Sequence, residues 1–393
     1  MNTSRLRLLT AGESHGPELT AILEGLPAGL PIDLTAIDAQ LERRQRGYGA
    51  GPRMKLEQDR ATITAGVLAG RTTGAPLAIR ITNRDHAKWR GRPIDPLTTP
   101  RPGHVDLTAA VKYGYTDLRP GLERASARET AARVALGAVC RTLLETFGIR
   151  IGGYVLRIGD VETGPLDSPY EIRFRTAEQN EVRCPDADTA AKMAAAIRSA
   201  IENRDTLGGI LETVALGVPP GLGSHVQWDR RLEARIGGAF LSVQAMKGVE
   251  FGEAFATTAL PGTQAHDALR LEDGRITRPT NLAGGIEGGI SNGQPIVVRT
   301  AMKPIATTLT PQETVDLATG EETTTRYERS DFCPVPRAAP ILEAVLAHVL
   351  ADALLEKVGG DSMDEIAPRV ASLRKTDLED LPMDGEPHIF WEE

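Results

Sequence analysis

Two distant stretches of this chain follow one pattern. The first is Gly66-Val-Leu-Ala-Gly70-Arg-Thr-Thr-Gly74-Ala-Pro76-Leu-Ala-Ile-Arg80, and the second is Gly285-Ile-Glu-Gly-Gly289-Ile-Ser-Asn-Gly293-Gln-Pro295-Ile-Val-Val-Arg299. Three glycines, a proline and an arginine coincide, and apolar residues match through the strand that each stretch enters. A second pair agrees as well: Leu23-Glu-Gly25-Leu-Pro27-Ala-Gly29-Leu30 and Leu216-Gly217-Val-Pro-Pro220-Gly221-Leu222, each leading to an Asp-initiated helix. Self-similarity narrows the possible folds before any local propensity is weighed. It predicts a duplicated strand–turn–helix–strand unit with an insertion in the second copy. The fold class is then α+β, a single domain over residues 1–393 whose two pseudo-symmetric halves span about 5–145 and 205–355. The competing reading is chance agreement of glycine-rich turns, because glycine is common at turns in any fold. Alignment of the copies sets Leu207 opposite His15, so the histidine belongs to one copy only, as a specialised site residue would.

Local signals fill in the elements. Residues 5–11 and 19–23 read as strands framing Gly12-Glu-Ser-His15-Gly16, and a helix is predicted from about Asp33 to Arg44 with Ala36, Ile37, Gln40 and Leu41 on one side. A glycine-arginine loop follows, containing Arg44, Arg46 and Arg53; its glycines permit close backbone approach to a ligand. Ser126 and Glu129 have the spacing of a capping box, and the stripe Leu136, Val139, Cys140, Leu143, Leu144, Phe147 continues at helical period to a stop at Gly148. Leu232, Ile236, Ala239, Phe240 and Val243 mark another helix, residues 189–204 an alanine-rich one, and Pro340–Glu356 the last. A Thr-rich connector is expected from Thr307 to about Thr325, and residues 376–393 form an acidic, mobile tail.

Composition excludes several function classes. No apolar run approaches the roughly 20 residues of a membrane span, and the motif at His15 leaves no room for a signal peptide, so a cytoplasmic enzyme is expected. The three cysteines, Cys140, Cys184 and Cys333, have no metal or disulfide spacing. Net charge is −8, yet from Arg80 to Arg133 eleven Lys and Arg face six Asp and Glu. A chain acidic elsewhere repels nucleic acid while holding one basic pocket, which suits a small anion. The alternative is that these arginines are solvated helix faces.

Within that stretch, Arg124 and Arg128 bracket the predicted helix N-terminus, where free N–H groups and the dipole favour an anion. His104 lies one loop upstream and His15 sits in a glycine-flanked turn; both are candidate proton donors beside a bound anion, with a capping role as the plain alternative for His15. Asp331, between Arg329 and Cys333, is either a salt-bridge partner or a base, and Cys333 reads as inert packing. The chain lacks the dinucleotide fingerprint, the P-loop, the nucleophile elbow and HExxH.

Six blocks in order, Gly12-Glu-Ser-His15-Gly16, Arg101-Pro-Gly-His104-x-Asp106, Glu123-Arg124-Ala-Ser126-Ala-Arg128-Glu129-Thr130, Gly288-Gly-Ile-Ser-Asn-Gly293-Gln, Lys303-Pro-Ile and Arg329-Ser-Asp331-x-Cys333, resemble those of the chorismate synthase family. The resemblance spans residues 8–360. It implies a homotetramer of a single β-α-β sandwich domain that converts 5-enolpyruvylshikimate 3-phosphate to chorismate and phosphate by 1,4-anti elimination, the last common step of the shikimate pathway. It implies dependence on reduced FMN without net redox change, with FAD and NADP also associated with the family and NADPH entering only as a source of reducing equivalents. Neither a nucleic acid nor a membrane is expected as a partner.

Carried onto this chain, the resemblance makes His15 and His104 the proton-handling histidines, near the leaving phosphate and the flavin respectively. Asp331 acts with the flavin in removal of the C6 proton. Arg53, Arg101, Arg128 and Arg329 grip the phosphate and carboxylates, Arg329 also neighbouring the flavin. Arg124, Ala125, Ser126, Gln244, Ala245, Gly288, Lys303, Pro304, Ile305, Ala306 and Thr307 line FMN, and Arg44 matches a position assigned to NADPH. One departure is Ala50, where many relatives carry arginine. Two other classes compete: an NADPH-dependent flavin reductase, which would bleach FMN without substrate, and an RNA-binding module, which 4% aromatics and net charge −8 serve poorly.

Overall fold

The structure is a computed structural model that describes residues 4–50, 58–328 and 330–391. Strands β1 (Arg7–Ala11), β2 (Glu18–Glu24), β3 (Ala61–Ala65) and β6 (Leu77–Thr82) form an antiparallel sheet ordered β1-β2-β6-β3. Between β3 and β6 lies a small hairpin, β4 (Val67–Leu68) with β5 (Arg71–Thr72). Alternation sends Leu19, Ala21, Leu23, Leu77, Ile79 and Ile81 inward, so one face is core. The second sheet contains β7 (Arg150–Ile158), β8 (Val161–Glu162), β9 (Gly209–Leu216), β10 (Met246–Phe251) and β15 (Ile296–Met302), ordered β10-β15-β9-β7-β8. Hairpins β11 (Arg270–Glu272) with β12 (Arg275–Thr277) and β13 (Ile286–Glu287) with β14 (Ile290–Ser291) precede β15.

The two sheets share a plan. With the two-residue β8 at the second sheet's edge set aside, each runs first strand, second strand, last strand, third strand, with a helix between the second and third and one or two small hairpins before the last. Both third strands carry a register shift, but at different places: Ile63/Ala65 near the end of β3 and Met246/Gly248 at the start of β10. The six residues between β1 and β2 that carry His15 hold the place in this strand order that the long segment between β7 and β9 holds in the other. That segment contains helices Tyr170–Glu178 and Ala187–Glu202. Phe174 and Tyr170 of the first pack on Tyr154, Val214, Leu216 and Val297, covering the outer face of the second sheet.

Two central helices separate the sheets. Thr130–Thr146 packs on β2 and β6, Val335–Val358 packs on β7 and β9, and the two pack on each other. They cross closely because position 137 is glycine: a Cβ there would lie 2.4 Å from Ala344 Cβ and 2.6 Å from its Cα. Val335–Val358 is long and apolar enough to cross a bilayer, with mean hydropathy 1.7 over its most apolar 18 residues, but 94% of that window is buried inside the protein. Its all-round apolarity is that of a core helix.

Several local expectations shift. The helix expected from Asp33 spans Leu34–Gln45 with Asp33 capping Thr35 N. Ser126 does cap, but its Oγ accepts from Arg128 N at 3.2 Å, and residues 127–129 form a 3-10 turn before the long helix starts at Thr130. Glu129 does not close the capping box, because Thr10 Oγ1 and Arg133 Nε donate to its carboxylate at 2.7 and 2.9 Å. Arg124 ends a preceding short helix, Arg119–Ala125, instead of opening the long one. The helix expected from Pro340 to Glu356 begins at Val335 and ends at Val358, with Pro336 in its first turn where a missing N–H costs nothing. The Thr-rich connector contains a hairpin, β16 (Glu313–Asp316) with β17 (Glu321–Thr324). Its β-branched residues Thr314, Val315, Thr323 and Thr324 suit a pleated pair.

Candidate active site

The Ser126-capped 3-10 turn that leads into Thr130–Thr146 and the first turn of Val335–Val358, through Ser126–Arg128 and Pro334–Arg337, open on one cavity of about 430 Å3. Free N–H groups at two helix starts make such a cavity attractive to anions. The β1–β2 loop brings Ser14 and His15, the loop before helix Asp106–Tyr113 brings Arg101, Gly103 and His104, and the turn into β10 brings Gln244 and Ala245. Lys303, Ile305, Ala306 and Thr307 follow β15, and Glu328 and Asp331 precede helix Val335–Val358. Arg44, Arg101, Arg128, Lys303 and Arg337 are the cations among the described lining residues; Glu328 and Asp331 are the carboxylates.

The arginines are held by carboxylates behind them. Asp59, fully buried, accepts from Arg44 Nη2 at 2.8 Å and Arg128 Nη1 at 2.6 Å. Burial alone would raise the Asp59 carboxyl, but the two guanidiniums outweigh it and hold it below the usual carboxylate range. Arg44 is pulled down to about 10 by burial, opposed by Asp59 and assisted by Arg337 and Arg128, and so remains cationic at neutral pH. Arg128 Nε also donates to Asn83 Oδ1 at 2.8 Å. Asn83 Nδ2 in turn donates to the carbonyls of Glu13 and Gly16, so the arginine and the His15 loop share one anchor.

Asp106 is the second such group. It is buried and accepts from Arg101 N, Nε and Nη2, and it meets His104 Nδ1 at 2.5 Å. Against the burial that would raise it, these bonds hold Asp106 well below the usual range. Arg101 Nη1 donates to Thr307 Oγ1 at 3.0 Å, tying the loop to the residues after β15. Lys303 Nζ donates to Gly103 O at 2.6 Å. Asp331 pairs with Arg337, whose Nε donates to Arg44 O at 3.1 Å. Cys333 is buried, and burial pushes its thiol up to about 12.

The cavity thus gathers His15, His104, Asp331, Arg101, Arg128, Arg44, Ala125, Ser126, Gln244, Ala245, Lys303, Ile305, Ala306 and Thr307. Pro304 is adjacent in sequence but exposed and not part of the lining. Arg124 turns its guanidinium to Thr10 O, Thr10 Oγ1 and Gly12 O instead of the cavity. Gly288 is exposed in the β13–β14 turn, away from the cavity. Arg44 is 1% exposed and locked to Asp59, so only a ligand inside the cavity can reach it, not one at the surface. Arg53 and Arg329 lie outside the described residues.

Sequence reasoning quoted Asp106 and Glu123 inside motifs without giving them work, and it passed over Asp59, Asn83, Trp89 and Arg337. Trp89 carried a usable signal: it is one of three tryptophans in an aromatic-poor chain and stands in the basic stretch. Asp59 and Arg337 carried none, since their partners are set by tertiary contact.

A flavin suits this lining. Val105, Leu122, Ala125, Ala127, Ala245, Met302, Ile305 and Ala306 give an apolar flank for a flat ring. Gln244 Oε1 and Trp89 Nε1 are buried and have no hydrogen-bond partner among the described residues, one acceptor and one donor available to a ligand.

The sequence profile of the chorismate synthase family matches residues 6–355. The chorismate synthase of Trichlorobacter lovleyi is 52% identical over 379 residues, covering 92% of this chain and 96% of that one. The Aquifex aeolicus chorismate synthase is 50% identical, covering 94% and 97%. A solved structure described as a crystal structure of chorismate synthase superposes with TM-score 0.76 at 44% identity, covering 93% of this chain and 96% of the other.

Proposed function

The chain belongs to the chorismate synthase family, and from that membership we propose how its residues carry the reaction. It is a phosphate-eliminating lyase that converts 5-enolpyruvylshikimate 3-phosphate to chorismate, a step of aromatic amino acid biosynthesis, and its family uses reduced FMN. The observation that carries the assignment of roles is the gathering of His15, His104, Asp331 and the arginines around one cavity. The substrate has three acidic groups, and each charge-assisted hydrogen bond from an arginine is worth about 1.5–3 kcal/mol.

In this reading Arg101 and Arg128 bind the phosphate and carboxylates together with Arg53 and Arg329. The elimination breaks the C6–H bond and the C3–O bond while a new C=C bond forms, and the electron pair leaves with phosphate. Asp331 takes part in removing the C6 proton. His15 protonates the departing phosphate, and His104 serves the flavin side. When bound, reduced FMN supplies transient electron density that helps phosphate depart. Ala125, Ser126, Gln244, Ala245 and the segment 303–307 hold it, and the apolar flank excludes water, which strengthens every charged contact inside.

The two sheets are read as copies of one duplicated unit within a single domain, supported by their common strand order. A homotetramer accommodates Gly288, an FMN-assigned position that lies off the chain's own cavity and can serve a neighbouring subunit's. A cytoplasmic setting accords with three free, buried cysteines. The deciding experiment supplies the protein anaerobically with reduced FMN and 5-enolpyruvylshikimate 3-phosphate. Chorismate and phosphate should form in equal amounts; folded protein that yields neither overturns the reading. Flavin bleaching by NADPH in the absence of substrate would favour the reductase.

A further inference from the structure

His15 is gripped on several sides. Glu123, on the short helix Arg119–Ala125, accepts from the His15 backbone N–H through Oε2 at 2.7 Å and meets His15 Nδ1 through Oε1 at 2.7 Å. The Glu123 carbonyl accepts from Ser14 N at 3.1 Å. Trp89 covers a face of the imidazole, with ring centroids 4.4 Å apart and planes at 42°, and the Arg119 guanidinium lies 5.8 Å from the indole. His86 Nδ1 meets His15 O at 2.9 Å.

We propose that Glu123 is a positioning residue for His15, fixing ring orientation and tautomer so that Nε2 is the nitrogen that exchanges a proton with the departing phosphate. The inference rests on the reading of His15 given above. A carboxylate offers only acceptors. Because one oxygen takes the backbone N–H, the other must take a proton on Nδ1, in the neutral ring or the imidazolium alike. Proton exchange with a ligand then falls to Nε2. The side chains of His15 and Glu123 are 19% and 11% exposed, so water competes weakly for either group. Burial would raise the Glu123 carboxyl, but the hydrogen bonds from His15 outweigh it and hold it below its ordinary value. Trp89 against the ring face hinders the flip about Cβ–Cγ that would put Cδ2 where Nδ1 meets Glu123. The pairing has the logic of an imidazole held in one tautomer by an acceptor on its far nitrogen.

Glu123→Gln tests this. Glutamine has one acceptor and one donor. If it keeps the backbone N–H it must turn its amide protons toward Nδ1 and force the other tautomer. Nitrogen-15 NMR of histidine-labelled holoenzyme, with His15 assigned by its loss in His15→Ala, reads the tautomer directly. The wild type should show Nδ1 protonated, and Glu123→Gln should show a shift toward protonated Nε2. Anaerobic turnover should fall by at least about 10-fold in kcat, the scale of losing an orienting partner. KM should stay within a few-fold, and Glu123→Asp should recover part of kcat. Unchanged His15 nitrogen shifts and unchanged kcat in Glu123→Gln overturn the proposal. If Glu123→Gln does not fold, the same spectrum of Glu123→Asp decides: an undisturbed tautomer with full activity despite the shorter reach overturns it. If instead the tautomer switches as expected while His15→Ala turns over like wild type, the positioning stands and the role given to His15 fails.

Discussion

Replacing Asp59 by asparagine keeps the shape of the side chain and removes a negative charge that Arg44 and Arg128 share. Asp59 is fully buried and the two arginine side chains are 1% and 3% exposed, so solvent cannot replace the lost counter-charge. Breaking a buried ion pair from one side costs about 3–5 kcal/mol, chiefly as the cost of the charge left behind. Urea unfolding at neutral pH should therefore show Asp59→Asn less stable by about that amount. The pH dependence has a definite sign. The Asp59 carboxyl is depressed in the folded state, so its contribution is complete above the unfolded value of about 3.9 and is lost as pH falls further. The gap between wild type and variant should be flat from about pH 5 to 8 and shrink below about 4. The variant cavity also carries one more uncompensated positive charge, so inorganic phosphate should stabilise it more than it stabilises wild type. At a hundredfold excess over the variant's own Kd its stabilisation by phosphate is about 2.7 kcal/mol, and wild type, binding more weakly, should gain less at the same concentration. A gap below about 0.5 kcal/mol at pH 7, or one that persists undiminished at pH 3, would refute the reasoning.

Other consequences are as direct. Asp331→Ala and His104→Ala should each cut anaerobic turnover by about 100-fold or more while FMN binding, followed by fluorescence, changes little; if both unfold the protein, the roles are wrong. Gly137→Ala should destabilise by about 1–3 kcal/mol, because the added methyl meets Ala344 backbone that cannot move aside; an unchanged thermal midpoint would contradict the close crossing. Cys140, Cys184 and Cys333 are buried, with thiols pushed up to about 12, 11 and 12 by burial. None should react with a thiol reagent at pH 8 until the protein unfolds, and rapid labelling of native protein would show the burial to be wrong.

The repeat was legible because glycine and proline at matching turns are constrained by backbone geometry alone. Helix existence was legible for the same local reason, as the stripe from Leu136 to Phe147 shows. The start of that helix was not, because Glu129 had a choice between closing a local capping box and meeting Thr10 and Arg133, and the tertiary partners won. Much of the candidate site could be named from motif blocks. Its supporting carboxylates could not be given work that way: Asp59 meets Arg128 and Glu123 meets His15 across long stretches of chain, and no local period encodes such pairs. Pro340 misled for a different reason: it reads as the start of a helix that begins five residues earlier at Val335 and carries Pro340 inside it.

The crossing at Gly137 and Ala344 acts as the pivot of a pair of scissors. Thr130 is seven residues from it along one blade and Val335 nine along the other, about 10 and 14 Å at 1.5 Å per residue. The blade tips carry Ser126–Arg128 and Asp331–Arg337, opposite walls of the same cavity. A rotation of about 5° at the pivot opens the tips by about 1 Å, and a misplacement of that size can cost on the order of 100-fold in rate. Substitutions at the pivot, remote from any ligand, should therefore tune turnover through the angle at which two blades meet.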